Sequence, residues 1–471
     1  VDHGQIFING RWAASAGTEQ IDVVNPYSER VIGRVPAGSR SDVGRAVAAA
    51  RASFPSWSQT SVLERLLYLE RIVAGVRERA EELALTITAE LGSPIVESRQ
   101  TQVGLSITGF KGIRKVAASY SFEESMGNSL VIREAAGVAA CITPWNYPLH
   151  QVTLKVASAL AAGCTVVLKP SEVTPLNAFM LAEIVQASGL PDGVFNLVCG
   201  PGQTVGEALV DHPEVDLISF TGSTRAGVRI SQLAAPKVNR VCLELGGKSA
   251  SVILDDADLA AVVPDAVARC VTNSGQSCSA LTRLLVPAER LAEAAEIAAA
   301  AAQGYVLGDP TDETTQLGPL VSQLQRERVL SYISGAVGEG ALLVSGGGEP
   351  PSGLEQGYFV APTVFSEVRP EMTIFREEIF GPVLSISGYR DEEDAVALAN
   401  DTEYGLSAAV WSADADRAQT VARRLRTGQV TINGGSYNFF APFGGYRKSG
   451  LGRESGRYGL EEFLEVKSLQ L

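Results

Sequence analysis

The stretch VAACITPWNYPLHQVTLKVASALAAGCTVVLKPSE, residues 138–172, reads as one complete structural unit. Two short β-type runs, VAACIT (138–143) and TVVLK (165–169), flank a helical stretch near 149–162. The runs are almost continuously apolar, which marks strands buried on both faces of a parallel sheet. Parallel neighbours need a crossover, and such crossovers are right-handed. The same alternation continues downstream with β-type runs VFNLV (194–198), DLISF (216–220) and RVCLEL (240–245). Helical stretches lie between them near 175–188, 203–211 and 225–234, and Thr174 and Pro175 suit the cap and first position of the second of these. This predicts an α/β fold whose ligands sit beyond the carboxyl ends of the strands.

Upstream, Ser61-Val-Leu-Glu64 reads as a capping box opening one long helix, with Leu63, Leu66, Leu67, Val73, Val76 and Leu83 at helical spacing. Gly92 and Pro94 stop it. Downstream, a second βα region runs from about 255 to 435, with SGGGEPPSG (345–353) as a surface loop. Two segments fit neither region: 119–137, a hairpin around Met126-Gly127-Asn128, and the tail 461–471, a strand. These β segments are expected to pair with each other or with another subunit, because exposed edges usually end up covered.

At 471 residues the chain is too long for one core, so at least two domains are expected. Its 39 basic and 53 acidic side chains give a net charge of −14, which opposes nucleic acid and anionic membranes as partners. No signal-type N-terminus and no membrane-length apolar run is seen, so a cytoplasmic protein is expected. Six cysteines without regular spacing suggest neither a disulfide framework nor a zinc site, and three histidines leave little room for a Ser–His–Asp triad or a metal centre. No metal is expected. A catalytic base, if there is one, is then a carboxylate.

Among the cysteines, Cys141, Cys164, Cys199 and Cys242 lie in or beside apolar β runs and Cys270 in a helical stretch, where a thiol acts as a small hydrophobe. Cys278 alone sits among small polar residues, in NSGQSCSALTR (273–283). Such a setting suits a nucleophile with its own backbone amide as an oxyanion donor, and equally an inert loop thiol. Glu244 ends an apolar strand in LELGGKS; it is either a structural ion-pair partner or a general base with a raised pKa. The Gly-Gly-Lys-Ser there is no phosphate loop, since Cys242 occupies the position of the first glycine. Asn146 in PWNYP suits an oxyanion donor or a turn residue. Glu172, after Lys169 and the second strand, suits a ribose-binding carboxylate or a solvated pair. Gly222 and Ser223 in SFTGST open a helix, a weak diphosphate signal without GxGxxG. Glu378 and Phe380 in EEIFGP can grip a sugar and pack on a flat ring, or simply form a charged turn.

In this order, PWNYP, KPSE, SFTGST, ELGGKS, GQSC, EEIFGP and PFGGYRKSG resemble the aldehyde dehydrogenase superfamily, over about Asn9 to the last residue. The resemblance implies an NAD-binding domain of the Rossmann type (1–118 and 138–245), an α/β catalytic domain (246–435) and a small β oligomerisation arm (119–137 and 455–471), assembled as homodimers or homotetramers. It implies that Cys278 attacks an aldehyde, that Asn146 and the Cys278 amide hold the oxyanion, and that Glu244 activates the water that releases the acid. It implies cofactor contacts at Lys169 and Glu172 (adenosine ribose), Trp145, Gly222 and Ser223 (diphosphate), and Glu378 and Phe380 (nicotinamide ribose and ring). Glu172 favours NAD over NADP, which some members with this glutamate also accept. The entrance is expected at Tyr147, His150, Gln151, Leu154, Tyr437, Phe439, Phe440 and Phe443, an aromatic-rich mouth for an apolar or aromatic aldehyde. Arg269 is expected to point outward. The alternatives are a coenzyme-A-acylating relative, disfavoured by Glu244, and a catalytically silent structural protein on the same fold. A nucleotide-free thiol esterase is disfavoured by the cofactor motifs.

Overall fold

The computed structural model describes residues 2–471. The five expected strands form at Val138–Ile142, Thr165–Lys169, Phe195–Leu197, Leu217–Thr221 and Arg240–Glu244, all parallel. In space the order is 240–244, 217–221, 138–142, 165–169, 195–197. The chain therefore builds outward from 138–142 to one side, then crosses to build the other. The crevice between 138–142 and 217–221 is the topological switch point, where open α/β sheets bind ligands. An N-terminal hairpin, Gln5–Ile8 with Arg11–Ala14, extends one edge antiparallel, and Gly450–Leu451 covers the other.

The first two strands are wholly buried, as their unbroken apolar runs require. The helix between them, Pro148–Ala162, has every residue buried, because the helix Gly104–Ser119 and the sheet enclose it. Each fully buried Val, Leu or Ile side chain contributes about 1.5–3 kcal/mol, enough to tolerate the single lysine in this helix, Lys155.

Three local expectations need correction. The helix opened by Ser61 is two helices, Val62–Glu78 and Ala80–Leu91, broken at Arg79, whose guanidinium binds Glu82 and Glu183. Its buried stripe runs through Leu66, Leu69, Ile72, Val73 and Val76, leaving Leu63 and Leu67 in solvent. Thr174 does not cap the helix Leu176–Ala187. The Glu90 carboxylate does so from a distant helix, accepting from the backbone amides of Leu176 (2.8 Å) and Asn177 (3.1 Å). No local pattern encodes such a cap.

The second region is a seven-stranded sheet ordered 342–345, 363–366, 383–389, 283–287, 250–253, 407–411, 429–432, parallel except for the first. The hairpin Glu123–Met126 and Ser129–Ala135 pairs along its length with the tail strand Leu464–Gln470. The two β segments thus find each other, leaving Met126, Val466 and Leu469 exposed on a three-stranded ribbon. No helix among the described residues is long and apolar enough to cross a membrane.

Candidate active site

The switch point fixes the first residues of the site. Trp145 and Asn146 follow the strand 138–142, Gly222 and Ser223 follow 217–221, and Glu244 ends the next strand. All five line one cavity of about 180 Å³, together with Phe380. Trp145 and Phe380 meet edge to face, with centroids 5.3 Å apart. The Ser223 hydroxyl accepts from the Ala226 amide and caps the helix Thr224–Ala234, so the positive end of that helix opens here.

Glu378 joins the same cavity through the Gly-Gly turn after Glu244. Its Oε1 accepts from the Gly247 amide at 2.9 Å. A Cβ at Gly246 would lie 2.1 Å from Glu378 Oε2, so any side chain there would displace this carboxylate. Burial raises the Glu378 carboxyl to about 7, against the Gly247 bond and then Arg328. Residues without a sequence signal of their own hold the segment in place: from the helix Gln323–Gly338, Arg328 donates to the Glu378 carbonyl (2.6 Å) and Gln325 to the Phe380 carbonyl (2.7 Å). Gln325 and Arg328 share one helix face at i, i+3, but only the fold reveals what that face meets.

Cys278 lies on the wall shared by this cavity and a second one of about 160 Å³. It is the one cysteine that keeps partial exposure as a residue, although its thiol lies deep between the two cavities. The loop before it is not the open polar turn its composition suggests. Asn273, Ser274, Gly275 and Gln276 are buried. Asn273 (φ 53°) and Ser274 (φ 55°) hold left-handed backbone that costs on the order of 1–3 kcal/mol per residue. Side chains sustain it. Asn273 Nδ2 donates to the Asn146 carbonyl (2.9 Å), Ser274 Oγ to the Gly318 carbonyl (2.7 Å), and Gln276 Oε1 accepts from the Val321 amide (2.9 Å). Gly275, at φ 73°, packs so closely that a Cβ would lie 2.1 Å from the Gly381 carbonyl carbon.

The Asn146 carbonyl also accepts from Gln102 Nε2 at 3.0 Å, so two buried amides fix its backbone. Its own Nδ2 donates to the Gln276 carbonyl at 3.0 Å. A carboxamide nitrogen carries two N–H donors, which leaves one for another acceptor beside Cys278.

Glu244 is buried, and among the described residues its carboxylate oxygens meet no hydrogen-bond donor other than the Cys278 thiol. Burial, then the nearby Glu454, pushes its carboxyl well above the usual range. Glu454 is itself buried against Lys155 in an ion pair. A lysine in the otherwise apolar VTLKVASALAA was the available signal for a partner at this depth; nothing around Glu454 marked it in the sequence. The Cys278 thiol is likewise pushed well above its ordinary value, by burial first and then by Glu244, Glu378 and Glu454.

The second cavity is walled by Leu105, Tyr147, His150, Leu154, Tyr437 and Phe443, with Thr101, Gln151, Gln429, Ser277 and Ser279. No Asp, Glu, Lys or Arg lines it, and burial lowers His150 to about 4, so the imidazole is neutral near pH 7. Two expected entrance residues are elsewhere. Phe439 packs on Gly109 and Gly112 of the helix 104–119, and Phe440 is exposed beneath the Lys115 ammonium. Arg269 lies away from the cavity, paired with Asp265 over the Trp411 ring. Lys169 and Glu172 bind each other at 2.8 Å beside the end of the adjacent strand, outside the cavity that collects the other cofactor candidates.

A sequence profile of the Aldehyde dehydrogenase family matches residues 12–469. A 3-succinoylsemialdehyde-pyridine dehydrogenase from a Pseudomonas species is 49% identical over 99% of this chain and 98% of its own length. A solved structure of a mutant aldehyde dehydrogenase C from Pseudomonas syringae, in complex with NAD+ and octanal, is 50% identical with a TM-score of 0.98, covering 99% of this chain and 96% of that one. An aldehyde dehydrogenase of Mycobacterium tuberculosis, complexed with NAD+, is 40% identical with a TM-score of 0.98, covering 100% of this chain and 98% of that one. With a family profile spanning nearly the whole sequence and relatives this similar end to end, the chain belongs to the aldehyde dehydrogenase family.

Proposed function

We propose that the protein oxidises an uncharged, apolar or aromatic aldehyde to its carboxylic acid, with NAD as oxidant. The observation that carries this reading is the position of Cys278 between two cavities, with Asn146 and Glu244 lining the larger one beside it. The larger cavity suits the nicotinamide end of NAD. It offers edge-to-face rings at Trp145 and Phe380, a capped helix N-terminus at Ser223, and a second Glu378 oxygen for a ribose hydroxyl. Lys169 and Glu172, at the next strand end, suit the adenosine ribose. Bound NAD supplies the hydride acceptor.

In this mechanism Cys278 Sγ attacks the aldehyde carbon from the wall between the cavities, giving a thiohemiacetal. The free Asn146 N–H and the Cys278 amide donate to the oxyanion, each such donor contributing about 3–4 kcal/mol. Loss of hydride leaves a thioester on Cys278. Glu244, buried beside Cys278 with no ion-pair partner, then takes a proton from water as the water attacks the thioester carbonyl. Release of the acid restores the thiol. A substrate cavity whose one titratable wall residue besides Cys278 and the tyrosines is a neutral histidine supports an uncharged aldehyde, because a carboxylate on the substrate would find no counter-charge. The exposed ribbon Glu123–Ala135 with Leu464–Gln470 supports assembly into dimers or tetramers through that edge.

The test is NADH production from a panel of aliphatic, aromatic and dicarboxylic aldehydes. Octanal and benzaldehyde are expected to turn over with NAD alone. Turnover that requires coenzyme A would replace the hydrolytic step with acyl transfer. Preference for a carboxylate-bearing aldehyde would overturn the substrate class.

A further inference from the structure

The loop 170–175 carries Glu172 from the strand Thr165–Lys169 to the helix Leu176–Ala187. Its near end is set by the sheet, through the pairing of that strand with Val138–Ile142. Lys169 Nζ sits there, donating to the Pro170 carbonyl (3.1 Å) as well as to Glu172. The far end of the loop is set from outside, by Glu90.

Glu90 is fully buried in the last turn of the helix Ala80–Leu91, where the dipole of its own helix opposes a carboxylate. What favours it there is the start of Leu176–Ala187, a positive helix end without a cap of its own. Three donors converge on its two oxygens: the Leu176 amide on Oε2 (2.8 Å), and the Asn177 amide (3.1 Å) and Asn177 Nδ2 (2.6 Å) on Oε1. Donors on both sides demand two acceptors, which a carboxylate supplies and a carboxamide does not. Asn177 passes this order back into the loop. The same Nδ2 donates to the Thr174 carbonyl at 2.9 Å, while Asn177 Oδ1 is buried with no hydrogen-bond partner among the described residues. Glu90 and the Thr174 carbonyl alone therefore orient the amide. Thr174 Oγ1 in turn donates to the carbonyl of Trp145, which lines the larger cavity.

We propose that Glu90 is a positioning residue for NAD: through Asn177 and Thr174 it sets the loop that presents Glu172 to the cofactor, without touching the cofactor itself. This rests on the reading that Lys169 and Glu172 hold the adenosine ribose. In Glu90→Gln an N–H replaces one of the two acceptors and faces a backbone donor. That end of the helix is released, the Asn177 amide loses its anchor, and the loop is free to move Glu172 off the ribose.

The test is equilibrium binding of NAD to the full chain by titration calorimetry, without aldehyde, in a double-mutant cycle of Glu90→Gln and Glu172→Ala. Glu90→Gln should raise the Kd about 3–10-fold, the scale of one lost helix cap. The KM for NAD should rise in step, while the KM for aldehyde stays within about two-fold, a split that general loosening of the fold would not give. In the Glu172→Ala background the Glu90→Gln effect should shrink below about two-fold, because the group it positions is gone. Wild-type NAD binding in Glu172→Ala would remove the adenosine-ribose reading and this inference with it. Weakened binding in Glu172→Ala beside wild-type binding in Glu90→Gln overturns the inference alone, as do two fully additive losses. Should Glu90→Gln fail to fold, Asn177→Ala replaces it in the cycle with the same outcomes, since it cuts the link from Glu90 to Thr174 and leaves the Leu176 bond in place.

Discussion

The loop Asn273–Cys278 and the turn Glu244–Lys248 touch, and they are built on opposite principles. A Cβ at Gly247 would lie 2.8 Å from the Cys278 carbonyl oxygen, so the two backbones are in close contact. In the loop, the side chains of Asn273, Ser274 and Gln276 are all bonded to fixed backbone groups, and they sustain left-handed residues. In the turn, the buried Glu244 oxygens meet no donor but the Cys278 thiol, and the buried Lys248 ammonium has no hydrogen-bond partner among the described residues. The difference teaches where position ends and chemistry begins. A satisfied polar network holds geometry and contributes stability. An unsatisfied buried charge costs stability and is retained for a water or a proton.

Substitutions can break this contrast in graded ways. The largest effect is expected from Cys278→Ala, which removes the group that the loop exists to position; steady-state NADH formation should fall on the order of 10³-fold or more. Asn146→Ala comes next, with kcat lower by about 10²–10³-fold, since one oxyanion donor is gone while the Gln102 and Asn273 bonds to the Asn146 backbone carbonyl persist. Gly275→Ala attacks position rather than chemistry. Its methyl group collides with Gly381 and its φ of 73° disfavours alanine, so both stability and activity should drop, the former by about 1–3 kcal/mol in urea unfolding.

A smaller effect sharpens the electrostatic half of the comparison. The Cys278 thiol lies well above its ordinary pKa, partly through Glu244, so at pH 8 it is mostly protonated and each unit of pH rise should increase thiolate about tenfold. Iodoacetamide labelling should therefore accelerate with pH. Glu244→Gln should make it a few-fold faster at fixed pH, because one acidic neighbour no longer opposes the thiolate. Labelling unaffected by Glu244→Gln at every pH would separate the two groups electrostatically.

Much of this arrangement was legible in the sequence, and the gaps have physical causes. The parallel strands were visible because burial on both faces leaves an unbroken apolar run, as in TVVLK. Cys278 stood out from five cysteines because its neighbours are small and polar, although those neighbours turn inward and strap the loop rather than expose it. Glu90 as a helix cap, Glu454 beside Glu244, and Arg328 behind Glu378 were invisible, since each acts across a long sequence separation. The placement of Phe439 failed for a related reason. Aromatic residues near a cavity mouth look alike in sequence, and only the close approach of Gly109 and Gly112 takes this ring into the core.

The most direct test of the division between a positioning loop and a reactive turn is the pre-steady-state behaviour of Glu244→Gln. With octanal and NAD, this variant should release about one equivalent of NADH per subunit in a burst and then stall, because attack and oxidation need the loop while hydrolysis needs the carboxylate. Steady turnover at the wild-type rate, with no burst, would contradict the role assigned to Glu244.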